Sequence, residues 1–245
     1  MKSYEYLSKV YDELMTDVSY PDWAKYLSIL LKENGVLKKS TLLEVGCGTG
    51  SISIELKKMG FDLIGLDISE EMLRKAEEKA REAGVIIPFI CQDVSEVELH
   101  KKVDAVLAVC DVINYIHIDD LSIFFKGIYN ALKPNGVLLF DISSLYKLKS
   151  ILGNNTFFED SEEMTFIWTN QISDENVIMD ITLFIKEGEL FRRFDEKHVQ
   201  FIHSVKMIEK ILNKSGFKTT MIYDCFSKNE VNEKSERIQF VAIRA

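Results

Sequence analysis

The chain has 245 residues, 47% hydrophobic and 28% charged, enough for a soluble globular fold with a substantial core, and no apolar run approaches a membrane span. With 39 acidic against 30 basic residues the net charge is −9, which opposes long-range attraction to a nucleic-acid backbone or an anionic membrane. The four cysteines, Cys47, Cys91, Cys110 and Cys225, form no C-x-x-C pair and have no histidine at ligand spacing, so free thiols, no metal and a reducing, cytoplasmic setting are expected.

The segment MKSYEYLSKVYDELM mixes charge into every turn and has no signal-peptide apolar block. Residues 4–34 read as two helices, with Leu7, Tyr11 and Leu14 on one and Trp23, Leu27, Leu30 and Leu31 on the other, and Pro21 suits the second helix's first turn. From Thr41 short apolar runs alternate with amphipathic stretches. TLLEV is followed by a helix through Ile52, Leu56 and Met59, and DLIGLD by a helix from Ser69 carrying Met72, Leu73, Ala76, Ala80 and Ala83. IIPFICQD, VDAVLAVCD, a helix near Leu121 to Leu132, and GVLLFDI after the turn KPNG continue the series. Continuous apolar strands separated by helices predict a parallel sheet covered on both faces.

Residues 157 to about 202 break that rhythm. In NVIMDITLFI the odd positions Val177 to Ile185 are apolar, and KEGE leads into LFRRFDEKHVQFI, which predicts an antiparallel insertion. Ser204 can cap a helix through Ile208, Ile211 and Leu212, and FKTTMIYDCF with RIQFVAIRA reads as a closing hairpin. The expected fold is α/β, a Rossmann-like doubly wound, mostly parallel seven-stranded sheet with a C-terminal antiparallel hairpin. Residues 39–146 and 203–245 would form it, with 147–202 as a small antiparallel β insertion and 1–38 as N-terminal helices.

A ligand of such a sheet binds beyond the carboxyl ends of its strands. Three strands carry an acid there: Glu44, Asp67 and Asp93. The spacing from Gly46 to Asp67 suits an acid that accepts hydrogen bonds from two ribose hydroxyls. The glycines follow G-x-G-x-G at Gly46, Gly48 and Gly50, and Glu44 two residues earlier would repel a phosphate and attract an ammonium. S-adenosylmethionine has the ribose, adenine and ammonium without a phosphate. Ordinary alternatives stand beside each reading: a strand-end ion pair for Glu44, a helix-entry acid for Asp67, and a small loop residue rather than a nucleophile for Cys47.

LLEVGCGTG, the acid of LIGLDIS, the acid of FICQDV and the run KPNGVLLFDI together resemble the class I S-adenosylmethionine-dependent methyltransferases. The resemblance is strong over Leu42 to Phe140 and looser at the closing helix and hairpin. It implies that Gly46 and Gly48 pass the methionine part of the cofactor, Glu44 faces its amino group, Asp67 holds the ribose, and Gln92, Asp93 and Val94 flank the adenine. Tyr20, Cys47, Gly50, Ile68, Met72 and Cys110 complete the cofactor set so implied.

Methyl transfer by in-line displacement needs alignment and a dry site more than a protein nucleophile. CDVINYI, Cys110 to Ile116, would border the acceptor, and it has no proline of the N/D-P-P-Y/F segment found in adenine- and glutamine-directed members. The resemblance implies a small-molecule acceptor under a lid made by the N-terminal helices, rich in Tyr11, Tyr20 and Trp23, and by the insertion. Tyr11, Asn114, Tyr115, Arg192 and His198 are candidate acceptor contacts, with Arg193 beside them; His198, Tyr11 and Asp111 are candidate catalytic groups. A nicotinamide-dependent oxidoreductase and a non-catalytic methyltransferase-like binding module remain alternatives, and a monomer or a homodimer is equally compatible.

Overall fold

The computed structural model describes residues 11–15, 18–94, 97 and 99–245. Positions expected to be helical before Tyr11, Leu7 among them, lie outside that set. Helix α1 (Tyr11–Leu14) precedes α2 (Tyr20–Glu33), where the Ser19 hydroxyl accepts from the Asp22 amide and Pro21 occupies the first turn. The Asn34 side chain closes α2 by donating to the Leu30 carbonyl at 2.8 Å.

The alternating runs then give β1 (Thr41–Val45), α3 (Ser51–Lys58), β2 (Asp62–Asp67), α4 (Glu70–Glu82), β3 (Phe89–Cys91), β4 (Val103–Ala108), α5 (Leu121–Ala131) and β5 (Leu132–Ser143). After β5 come β6 (Thr156–Asp160), β7 (Met164–Ile172), β8 (Asn176–Glu187) and β9 (Leu190–Phe201), then α6 (Val205–Lys214), β10 (Phe217–Asp224) and β11 (Arg237–Arg244). Seven strands form one sheet in the order β10-β11-β5-β4-β1-β2-β3. Its pairs are parallel except where β11 meets β5 and β10. The order reverses at β1, between β2 and β4, which places a crevice beyond the carboxyl ends of β1 and β4.

Successive strand residues feed opposite faces. Leu42, Leu107, Val137 and Leu139 pack against α2 and α3, whereas Leu43, Val106, Leu138 and Phe140 pack against α5 and α6. The expected KPNG turn is present but lies inside β5: Leu132 already pairs with Val103, Lys133–Gly136 bulges out with Asn135 left-handed, and pairing resumes at Val137. The third strand is shorter than IIPFICQD suggested, covering Phe89–Cys91 only.

Strands β6 to β9 form a separate four-stranded antiparallel meander. The odd-numbered β8 residues Val177, Met179, Ile181 and Leu183 are buried, as the alternation predicted. Tyr11 and Leu14 of α1 pack on this face beside Met164, Ile181, Leu183 and Phe194. Further along, Leu148 and Leu152 pack on Val177 and Met179, from a π-helical turn (Lys147–Leu152) that the sequence pattern did not indicate.

Asn114, a candidate acceptor contact, serves the fold instead. It is fully buried in a short 3₁₀ turn (Val112–Tyr115), accepts from the Ser143 amide of β5 at 2.8 Å and donates to the Phe201 carbonyl of β9 at 3.0 Å. One amide side chain thereby joins the two sheets. Asn114→Ala leaves a buried donor and a buried acceptor without their partner, and should lower unfolding stability by about 2–4 kcal/mol, read in urea titrations. An unchanged midpoint would show that water replaces the amide.

Candidate functional site

The crevice at the switch point is a cavity of about 250 Å³. Its floor is the turn after β1, where Gly46, Gly48 and Gly50 all have positive φ. At Gly46 (φ +66°) a Cβ would also lie 2.4 Å from Val112 Cγ2, so neither the backbone conformation nor the space admits a side chain. Gly50 (φ +73°) faces away from the cavity, where a Cβ would meet Ala76 and Phe89; it packs α3 against α4 and β3.

Two carboxyls stand on the walls. Asp67, at the tip of β2, accepts from the Gly48 amide at 2.8 Å and the Ser69 amide at 2.9 Å, which fixes its orientation. Burial raises its pKa while those amides lower it. Glu44 is 3% exposed and accepts from the Ser53 hydroxyl of α3. Burial lifts its pKa to about 7, opposed by Ser53 and reinforced by Asp67. Burial likewise raises the Cys47 and Cys110 thiols and the Tyr11 and Tyr20 phenols on the same walls, so all of these are neutral near pH 7. Among the described residues, no cationic side chain lines the cavity.

The structure brings together most of the expected set. Tyr20, Glu44, Gly46, Cys47, Gly48, Asp67, Ile68, Met72, Val94 and Cys110 line the cavity, and so do Tyr11 and Tyr115. Gln92 and Asp93 follow β3 outside it, the Gln92 backbone amide donating to the Asp67 backbone carbonyl at 3.0 Å and Asp93 exposed. Thr49, Ser51, Ile52 and Val112 also line it. The first three adjoin the glycines and could have been read from that adjacency, and Val112 lies in CDVINYI, the segment expected to border the acceptor; its contact at Gly46 shows that it also shapes the turn.

Several candidates are engaged elsewhere. Asp111 lies against the Arg237 guanidinium (2.6 Å), with the Ser143 hydroxyl donating at 2.8 Å. Arg237 and Lys147 hold its pKa down at about 2 despite burial, so it is an ion-pair partner rather than a base. Arg192 and Arg193 sit on the exposed end of β9, paired with Glu187 and Asp195. Trp23 is buried under Arg237, whose guanidinium lies 5.0 Å from its ring, and it does not line the cavity. His198 is buried on β9, with Nε2 3.1 Å from Glu196 and its ring edge-on to Tyr115, a residue of the cavity wall.

Over the cavity, α1 is held from both sides. Its Tyr11 and Leu14 rest on the small sheet, while Asp12 bonds Lys79 of α4 (2.7 Å) and the Thr49 hydroxyl (2.8 Å). Lys79 also reaches Ser51 at 2.7 Å. A roofed cavity with two carboxyls and largely apolar walls suits a ligand that combines a cation, hydroxyl donors and a flat apolar ring.

Comparison with known proteins points the same way. Residues 42–136 match the family described as a methyltransferase domain. YqeM of Bacillus subtilis, a protein named as a methyltransferase, is 37% identical over 98% of this chain and 96% of its own. The crystal structure of an S-adenosylmethionine-dependent methyltransferase from Clostridium acetobutylicum superposes with a TM-score of 0.89 at 36% identity, covering 100% of both chains. CalS10 of Micromonospora echinaspora, an amino pentose methyltransferase solved with S-adenosylmethionine, shares the fold at a TM-score of 0.74 and 17% identity over 100% of both chains.

Because the Glu44 carboxyl titrates near 7 when folded, the native chain holds its proton more tightly than the unfolded chain. That stabilisation is complete below the ordinary carboxylate range and is lost as pH rises to about 7. Glu44→Gln should therefore make the ligand-free protein more stable at pH 8 by about 2–3 kcal/mol, and leave it unchanged near pH 4. Denaturant midpoints at the two pH values measure this, and equal midpoints at pH 8 would mean that Glu44 is solvated.

Proposed function

We propose that this chain, which belongs to the class I S-adenosylmethionine-dependent methyltransferases and takes S-adenosylmethionine as its cofactor, transfers the methyl group to a small-molecule acceptor by in-line displacement. The observation that supports the cofactor's placement is the pairing of Glu44 and Asp67 on one cavity that, among the described residues, no cationic side chain lines. A nicotinamide dinucleotide would bring its pyrophosphate against Glu44, which argues against the oxidoreductase reading.

In this reading Glu44 receives the ammonium and Asp67 the ribose hydroxyls, its oxygens already aimed by Gly48 and Ser69. Gly46 and Gly48 allow the methionine part to lie against backbone, and Ile68, Met72 and Val94 give the adenine an apolar bed. When bound, the cofactor supplies a methyl group activated by a positively charged sulfur. The chain supplies alignment and exclusion of water. Tyr11, Tyr20 and Tyr115 line the same cavity, and aromatic faces favour a nearby cation. The acceptor enters beneath α1 and the small sheet, against Tyr11 and Tyr115. Where it arrives protonated, His198 with Glu196 is the imidazole in contact with that wall, through Tyr115.

Isotope-labelled S-adenosylmethionine incubated with the protein and fractionated small metabolites tests the reading. Label should move to a low-molecular-weight product, and transfer only to macromolecules would overturn the acceptor class. Calorimetry should show S-adenosylhomocysteine bound far more tightly than NAD. Asp67→Ala should weaken that binding by about 1.5–3 kcal/mol, the scale of hydrogen bonds to a charged group. A folded Asp67→Ala protein with parental affinity would remove Asp67 from the site.

A further inference from the structure

Glu44 and Ser53 are nine positions apart, on either side of the glycine turn. The turn reverses the chain so that the start of α3 returns over the tip of β1, and the Ser53 hydroxyl donates to Glu44 Oε2. Ser53 is 0% exposed and Glu44 3%. Among the described residues, the other titratable groups that bear on Glu44 are all acids: Asp67 from β2, Cys47 in the glycine turn, Tyr20 from α2 and Cys110 after β4. Burial and the Asp67 charge push the Glu44 carboxyl toward its protonated form, and Ser53, through its hydroxyl and its backbone amide, is the group among the described residues that pulls it back.

We infer that Ser53 is a positioning residue for cofactor capture: its hydroxyl holds Glu44 in the orientation and ionised form that receives the cofactor's ammonium, so that capture expels a proton from the empty site. The inference rests on the reading of this cavity as the S-adenosylmethionine site. In the empty protein near neutral pH, Glu44 is divided between acid and carboxylate. The incoming ammonium selects the carboxylate, and the proton leaves to solvent. Without the Ser53 hydroxyl the acid form prevails to higher pH, and the same ligand must displace more of it.

Calorimetry on the full chain tests this with two ligands across about pH 5.5 to 8: S-adenosylhomocysteine, and 5′-methylthioadenosine, which keeps adenosine and sulfur but has no ammonium. For the parent protein, affinity for S-adenosylhomocysteine should fall as pH drops below about 7, more steeply than affinity for methylthioadenosine. Ser53→Ala should move that fall to higher pH and weaken S-adenosylhomocysteine about five- to tenfold at pH 7, with methylthioadenosine changed less than about twofold. Ser53→Thr, which keeps the hydroxyl, should restore the parental profile. An unshifted profile in Ser53→Ala, or equal weakening of both ligands, would overturn the inference by assigning Ser53 to the seating of α3 alone. A parent protein that binds neither ligand at any pH would instead overturn the assignment of the cavity.

Discussion

At the carboxyl edge of the sheet the Arg237 guanidinium, opening β11, lies between Asp111 beyond β4 and Asp141 within β5. Asp141 in turn accepts the backbone amides of Cys110 (2.8 Å) and Asp111 (3.2 Å), two consecutive residues with positive φ. Left-handed backbone costs about 1–2 kcal/mol per residue outside glycine, so this corner persists because the ion cluster holds it. Cys110, Val112 and Tyr115, which form one wall of the cavity, follow directly from the corner. The wall is thus a product of an arginine from the far end of the chain.

The same edge of the sheet treats its acids in two ways. Asp111 and Asp141 share the Arg237 guanidinium. Among the described residues, Glu44 and Asp67 receive hydroxyl and amide donors. Buried carboxyls without a cation destabilise a fold, which makes them a poor structural choice and a good binding choice. In the proposed reading the charge that balances them comes with the cofactor, and the empty site is kept at some expense in stability.

How much of this could be read in the sequence follows from how locally each feature is encoded. Most strands, the helix caps at Ser69 and Ser204, and the antiparallel meander come from patterns within a few residues and form as those patterns indicate, whereas β3 is cut short to Phe89–Cys91. Glu44, Gly46, Gly48 and Asp67 belong to one β-turn-α-β unit and were legible together. The role of Asn114 was not, because its partners Ser143 and Phe201 lie on two later strands. Nor was that of Asp111, whose partner Arg237 is 126 positions away. A polar residue after a strand looks the same in sequence whether it awaits a ligand or a distant arginine. Thr49 and Lys79 likewise gained meaning only when Asp12 arrived between them.

Helix α1 rests on the small sheet through apolar contacts and on the glycine turn and α4 through Asp12. These two attachments respond to different solvents. The Asp12–Lys79 pair is part-exposed, with side chains 40% and 28% accessible, and is screened by salt, whereas the packing of Tyr11 and Leu14 is not. In the proposed reading, a molecule crossing beneath α1 would part it from the Asp12 side. Rising ionic strength would then speed departure and shorten residence times.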